Sequence, residues 1–219
     1  MRNNSLFAKY SKDENFFNRP SIHNCYWGGF IAADGCIDEK GNRITFSQKT
    51  EDRALLENFK QSTKYTGKIF DITSGGKPAS QLRIVSLNWI QDVKKHFNIT
   101  PRKSLTLEPP NLHISDLQLA YIIGYIDGDG SIRLTQRGNK DYLILDIVGT
   151  YNLLDWIRNS LEFVLKNSSQ KKIYKHGNCW RLMYTQDKAK KILKFLLNFQ
   201  NTYDINTLDR KWDIARKAV

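Results

Sequence analysis

The sequence is poor in cysteine and has no long apolar run. Cys25, Cys36 and Cys179 are the three cysteines in 219 residues. Three cannot pair completely and are far too few for a disulfide scaffold, so an intracellular, reducing compartment is expected. No stretch approaches the roughly 20 apolar residues of a membrane span, which argues against a membrane partner. The opening segment, from Met1 to Phe17, lacks the apolar run of a signal peptide. No CxxC pair is present. His23, Cys25, Cys36, His176 and Cys179 fall into two clusters about 140 residues apart, which is not zinc-finger spacing. A basic tail is absent as well: residues 1–115 and residues 116–219 each hold 17 Lys and Arg against 11 Asp and Glu.

What is present points to a folded, cationic protein. Apolar residues make up 40% and charged residues 26%. That mix can fill a core and excludes global disorder. The net charge is +12 and the pI is near 9.6. A protein this basic, with its charge on folded surface in both halves, is expected to face a polyanion. With the membrane set aside, nucleic acid leads.

The chain repeats itself. Residues 26–37 read YWGGFIAADGCI and residues 121–132 read YIIGYIDGDGSI. At an offset of 95, Tyr26, Gly29, Ile31, Asp34, Gly35 and Ile37 match Tyr121, Gly124, Ile126, Asp129, Gly130 and Ile132. Looser matches follow. Lys68-Ile69-Phe70 resembles Lys172-Ile173-Tyr174, and Arg83-Ile84-Val85 resembles Arg181-Leu182-Met183. Each half then reaches an Arg-Lys pair, Arg102-Lys103 or Arg210-Lys211. The expected order per half is helix, two strands, helix, two strands, helix. Ser115 to Gln118 reads as a capping box, starting a helix near 116 that ends at Gly128–Gly130. Its counterpart follows Pro20-Ser21 and ends by Gly35. Alternation places Arg43, Thr45, Ser47 and Lys49 on one strand face and Ile44 and Phe46 on the other. Ser131, Arg133, Thr135 and Arg137 likewise oppose Ile132 and Leu134. The expected division is an N-terminal extension over 1–20, a first half over 21–107, a Pro-Pro linker over 108–114 and a second half over 115–219.

The glycine-bearing helices carry the chemistry. Glycine in a helix interior costs roughly 1 kcal/mol relative to alanine. Gly29 and Ala33 are one turn apart, as are Gly124 and Gly128, which lets two backbones approach closely. The expected partner of each helix is the other. Each then ends in an aspartate, Asp34 or Asp129. A carboxylate at a helix C-terminus is disfavoured by the macrodipole, and two brought together repel. A divalent cation resolves this, and hard oxygen ligands with open positions suit Mg2+. The backbone at position 33 stays open as a further ligand.

Both segments resemble the LAGLIDADG motif of homing endonucleases. IIGYIDGDG is a close match; WGGFIAADG departs at its sixth position, where Ala32 replaces an acid. The resemblance covers about residues 20–219 and is to the monomeric members with two motifs. It implies an α+β fold: two pseudo-symmetric αββαββα halves, antiparallel strands forming a saddle over double-stranded DNA, and the motif helices packed between them. It implies hydrolysis of both strands across the minor groove of a long asymmetric site, with two or three divalent ions held by Asp34 and Asp129. Phe46-Ser47-Gln48-Lys49-Thr50 is similar to the family's Gln-Lys-Thr segment, which implies that Gln48 positions water; the family's lysine late in each half is matched by Lys103 and Lys211, near the reacting phosphates. The outer strand residues Arg43, Ser47, Lys49, Lys68, Arg83, Arg133, Thr135, Arg137, Lys172 and Arg181 become DNA-contact candidates. The second half aligns Val148-Gly149-Thr150 with Gln48-Lys49-Thr50, so unequal cutting of the two strands is expected. A maturase bound to its host intron RNA, or a non-cleaving DNA-binding relative, stays open as the alternative.

Overall fold

The computed structural model describes residues 10–38, 40–138, 140–165 and 171–219, with the side chains of Arg137 and Lys140 left out. In the first half, α1 (Ile22–Asp34) leads to β1 (Cys36–Ile37) and β2 (Arg43–Lys49). Then come α2 (Arg53–Thr63), β3 (Ile69–Ser74), β4 (Lys77–Val85) and α3 (Leu87–Phe97). The second half repeats this with α4 (Ser115–Asp129), β5 (Gly130–Arg137), β6 (Lys140–Gly149), α5 (Tyr151–Leu165), β7 (Ile173–His176), β8 (Cys179–Thr185) and α6 (Gln186–Tyr203). It adds one element, α7 (Asp209–Ala218), where the first half has only a short 3-10 turn at Lys103–Leu105. The expected order holds in both halves; α7 exceeds it.

Two antiparallel sheets result, ordered β1-β2-β4-β3 and β5-β6-β8-β7. Each buries one face, as strand alternation requires. Ile44 and Phe46 are fully buried while Arg43, Ser47 and Lys49 are exposed. The alternation weakens in β5, where Leu134 is 44% exposed near the hairpin end rather than opposed to its cationic neighbours. Behind the first sheet the core is a chain of ring contacts: Phe30 on Phe46, Phe46 on Phe59, and Phe59 on both Trp27 and Trp89. Behind the second it is aliphatic, built on Leu145, Ile147, Ile157, Leu182, Ile192 and Leu196.

Helices α1 and α4 are buried all round, as helices apolar on every side must be. They pack on each other through their glycines. A Cβ on Gly29 would lie 1.9 Å from the Tyr121 carbonyl oxygen, and one on Gly124 would lie 1.8 Å from the Tyr26 carbonyl oxygen. Tyr26 and Tyr121 are themselves a matched pair of the repeat, so the contact is reciprocal and the two halves are related by a pseudo-twofold axis. The helix interface read from Gly29, Ala33, Gly124 and Gly128 is this crossing: a Cβ on Gly128 would lie 2.2 Å from the Ala33 Cβ.

Three local readings are corrected. Ser115 does not cap α4. It is the first helical residue, Ile114 precedes it without a side-chain cap, and Gln118 Nε2 donates instead to the Leu112 carbonyl at 2.8 Å. The capping box stands at α1, where Asn24 N donates to Ser21 Oγ and Ser21 N donates to Asn24 Oδ1. The strand alignment also shifts. Ile37 pairs with Ile44 and its match Ile132 pairs with Leu145, so Ile44 corresponds to Leu145 and Gln48 to Gly149, not Val148. Ile44 and Leu145 pair in turn with Ile84 and Tyr184, so Arg181 corresponds to Gln81 and Arg83 to Met183. The cause is the longer β5–β6 hairpin, which moves the offset between halves from 95 to 101.

Candidate active site

Both motif helices stop in the same way. Gly35 and Gly130 take extended backbone, and their amides close the last turns on Ile31 and Ile126. The crossing at the glycines then brings the two C-termini together. A Cβ on Gly128 would lie 3.2 Å from Asp34 Cγ, which places Asp34 against the last turn of α4. Burial raises the Asp129 carboxyl above its ordinary range, and the Asp34 charge raises it further. Lys103, Tyr125 and Lys211 act in the opposite sense. The two aspartates therefore form one like-charged centre.

Gln48 joins it. Its inward strand parity buries the side chain, and Nε2 donates to Asp34 Oδ2 at 2.8 Å. The two lysines arrive from corresponding places after the last strand of each half, and both are buried. Lys103 Nζ donates to the Ala33 carbonyl at 3.1 Å, at the end of α1. Lys211 Nζ reaches four carbonyls at the end of α4: Ile126 at 3.0 Å, Asp127 at 2.5 Å, Gly128 at 2.9 Å and Gly130 at 2.7 Å. A cation there satisfies orphan carbonyls and complements the helix dipole. Burial lowers both ammonium groups; Asp129 and Asp34 partly restore Lys103, and Asp127 ahead of Asp34 and Asp129 partly restores Lys211. Three ammonium protons facing four carbonyls leave Lys211 tied to the helix end; its charge acts on the centre from behind.

The donor set suits a hard divalent cation. Two carboxylates meet without a third clustered acidic, His or Cys ligand among the described residues. That is a poor closed cage and a good open site, where water and phosphate could complete the shell of an ion.

No family model and no curated protein matches the chain. Solved structures do. The chain is similar to the LAGLIDADG homing endonuclease I-GzeII in complex with DNA target, with a TM-score of 0.57 and 14% identity, covering 90% of this chain and 89% of that one. It is similar to the meganuclease I-SmaMI bound to uncleavable DNA, with a TM-score of 0.56, 15% identity and 90% of each chain covered. For I-LtrWI bound to target DNA the TM-score is 0.54 at 11% identity, over 93% of this chain and 90% of that one.

The chain has the LAGLIDADG homing endonuclease fold.

On this fold, the open sheet faces hold most of the sequence-derived contact residues. Arg43, Ser47 and Lys49 are exposed on β2 and Arg83 on β4. Arg43 lies 3.7 Å from Asp38 and Lys49 lies 3.4 Å from Glu51. Ser47 accepts a hydrogen bond from Gln81, and Arg83 binds the other end of the same amide. On the second sheet, Thr135 donates to the Tyr142 carbonyl at 3.3 Å. Arg133 and Arg181 meet on Asp146: Arg133 at 3.1 Å, Arg181 Nε at 2.6 Å and Arg181 again through its Nη2. Lys68 and Lys172 stand one residue before β3 and β7 rather than within them, and Lys172 lies over the Tyr174 ring. The Arg137 side chain is outside the described residues. No helix among the described residues is long and apolar enough to cross a membrane.

Two residues escaped the sequence reading. Asp146 is set between two arginines on an outward parity, visible once it is paired with Ser131. Asp127 occupies the motif position where the first half has Ala32. It is buried and accepts from Tyr26 Oη at 2.7 Å, Leu208 N at 3.0 Å and Trp212 Nε1 at 2.6 Å. Burial pushes its carboxyl up to about 6 against the pull of these donors. Its work is to clasp α7 to the motif helices. The first half lacks α7, and at Ala32 it lacks the acid.

Proposed function

We propose that this protein is a site-specific, double-strand DNA endonuclease that acts as a monomer with a divalent ion, Mg2+ by preference. The observation that carries the reading is the meeting of Asp34 and Asp129 at one point beneath two cationic sheet faces. A single DNA duplex laid along both faces would carry both of its strands past the same pair of carboxylates. Structural neighbours of this fold are complexes with DNA, and one of them, I-SmaMI, is a complex formed in the presence of calcium ions.

Asp34 and Asp129 would hold the ions, whose chemistry is to neutralise phosphate oxygens and supply a reactive water. The rest falls to the chain. Gln48, fixed on Asp34, holds that carboxylate in place and keeps its remaining amide proton for water. Lys103 and Lys211 bind the helix ends and place fixed positive charge behind the phosphates, where charge builds as the bond to the leaving oxygen breaks. Arg43, Arg83, Arg133 and Arg181 track the duplex, with arginine suited to guanine edges and to phosphates.

The test is selection of cleaved sites from a randomised duplex library in Mg2+, repeated in EDTA. Recovery of one long asymmetric site, cut on both strands only with the ion, is expected. Enrichment of bound but uncut duplexes under every ion condition would overturn the nuclease reading in favour of a DNA-binding protein.

A further inference from the structure

The centre is asymmetric in one respect that the proposed activity leaves open. Gln48 fixes Asp34, and its counterpart on the second sheet, Gly149, has no side chain to fix Asp129. The space is nevertheless filled. A Cβ on Gly149 would lie 2.7 Å from Tyr125 Oη. The hydroxyl of Tyr125 stands where a side chain at 149 would have to begin. It donates to the Val148 carbonyl at 3.0 Å, and the Asp129 carboxylate, one turn further along α4, is near enough to act on the phenol. Tyr125 and Asp129 also border, with Lys103, the same cavity of about 210 Å3.

The first half shows the complement. The motif partner of Tyr125 is Phe30, which has the same ring and no hydroxyl. One half therefore combines a phenylalanine on the helix with a glutamine on the strand; the other combines a tyrosine on the helix with a glycine on the strand. Each half thus sets one neutral hydrogen-bond donor near its own aspartate, from the strand in the first and from the helix in the second. We infer that Tyr125 is the positioning residue of the second half, holding Asp129 as Gln48 holds Asp34.

The chemistry of the two donors differs in a way that matters. The glutamine amide has two protons and can serve Asp34 and a water together. The tyrosine has one, to be given either to the Val148 carbonyl or to Asp129. A phenol, with an ordinary pKa of about 10, keeps its proton at neutral pH.

This inference rests on the nuclease reading, and its test separates the two. Four proteins are compared: the wild type, Tyr125→Phe, Gly149→Gln and the double variant. Each is assayed by strand-resolved single-turnover cleavage, by calorimetric titration of Ca2+ into the protein–DNA complex, and by thermal melting. Tyr125→Phe should slow one strand at least about tenfold more than the other and weaken Ca2+ several-fold. Its melting temperature should fall by no more than about 4 °C, the cost of one hydrogen bond in a chain of this length. Gly149→Gln alone should melt lower, because its Cβ meets the hydroxyl. In the double variant the Cβ meets the ring carbon Cζ and Leu154 Cδ2, each at an ordinary contact distance of 3.6 Å, so stability, ion affinity and the slowed strand should all recover. Tyr125→Phe with wild-type ion affinity and equal strand rates would reduce the residue to a packing role. A double variant no better than Tyr125→Phe would refute the exchange. A wild type that binds its site and never cuts would count against the nuclease reading, and the titration and melting cycle would still decide the role of Tyr125.

Discussion

The two halves share a frame and differ in how they finish it. The first closes its core with aromatic rings, ends after Lys103 in a short turn, and sets Gln48 against its aspartate. The second has an aliphatic core, adds α7, locks that helix with Asp127 and carries Lys211 on it. On the open faces, the first sheet offers Gln81 where the second offers Arg181, bound with Arg133 to Asp146. What stays constant is what the helix crossing demands: small residues, an aspartate and then a glycine at each helix end, and a buried lysine on that end. What varies is what a second copy is free to solve differently. The two halves keep the centre alike and differ in its supports.

That contrast can be broken at graded cost. The largest effect should come from Gly124→Leu, at the one contact both halves need. Its Cβ would overlap the Tyr26 carbonyl, and overpacking a close contact costs about 3 kcal/mol or more. The protein should fail to fold or melt about 6–12 °C lower by scanning calorimetry. An unchanged melting temperature would remove α4 from the central interface.

Next comes Asp127→Ala, which strikes a support found in only one half. It strands Tyr26 Oη, Trp212 Nε1 and the Leu208 amide in the interior, at about 2–4 kcal/mol in total. Denaturant unfolding should show that loss, and protease digestion should release α7 first. If α7 stays protected, the clasp lies elsewhere.

Smaller effects belong to the open faces. Arg181→Ala should weaken cognate binding about 5–150-fold, and Gln81→Ala on the other sheet by less. Equal losses in a fluorescence-anisotropy titration would show that the faces are equivalent despite their residues. The wild-type affinity should fall with salt at a log–log slope of about −0.9 per phosphate neutralised, with at least about six phosphates. A slope shallower than about −3 would mean that only one face engages.

Much of this was legible in the sequence, because the strongest constraints leave local marks. The glycine spacing, the aspartates and the strand alternation at Ile44 and Phe46 are all short-range patterns. Misreadings arose where distant contacts decide. Ser115 has the residues of a cap, but the Leu112 carbonyl draws Gln118 away and the helix starts one residue early. The match of Gln48 to Val148 failed by a single residue, across a hairpin of different length. In a strand one residue reverses the face. The inward series Leu143, Leu145, Ile147 pointed to Gly149, and that signal outweighs residue likeness. Arg133 and Arg181 looked like independent contacts until the sheet brought Asp146 between them. The clasp at Asp127 joins residues about 80 apart in the chain, which no local pattern can show.

The central claim is that both carboxylates serve one centre acting on both strands. Strand-resolved single-turnover cleavage by Asp34→Asn and Asp129→Asn, with end labels on each strand of the selected site, tests it most directly. The account predicts that either substitution slows both strands at least about a thousandfold, some 4 kcal/mol of barrier, while gel-shift affinity persists. A variant that nicks one strand cleanly at the wild-type rate would contradict it, and would divide the molecule into two independent active sites.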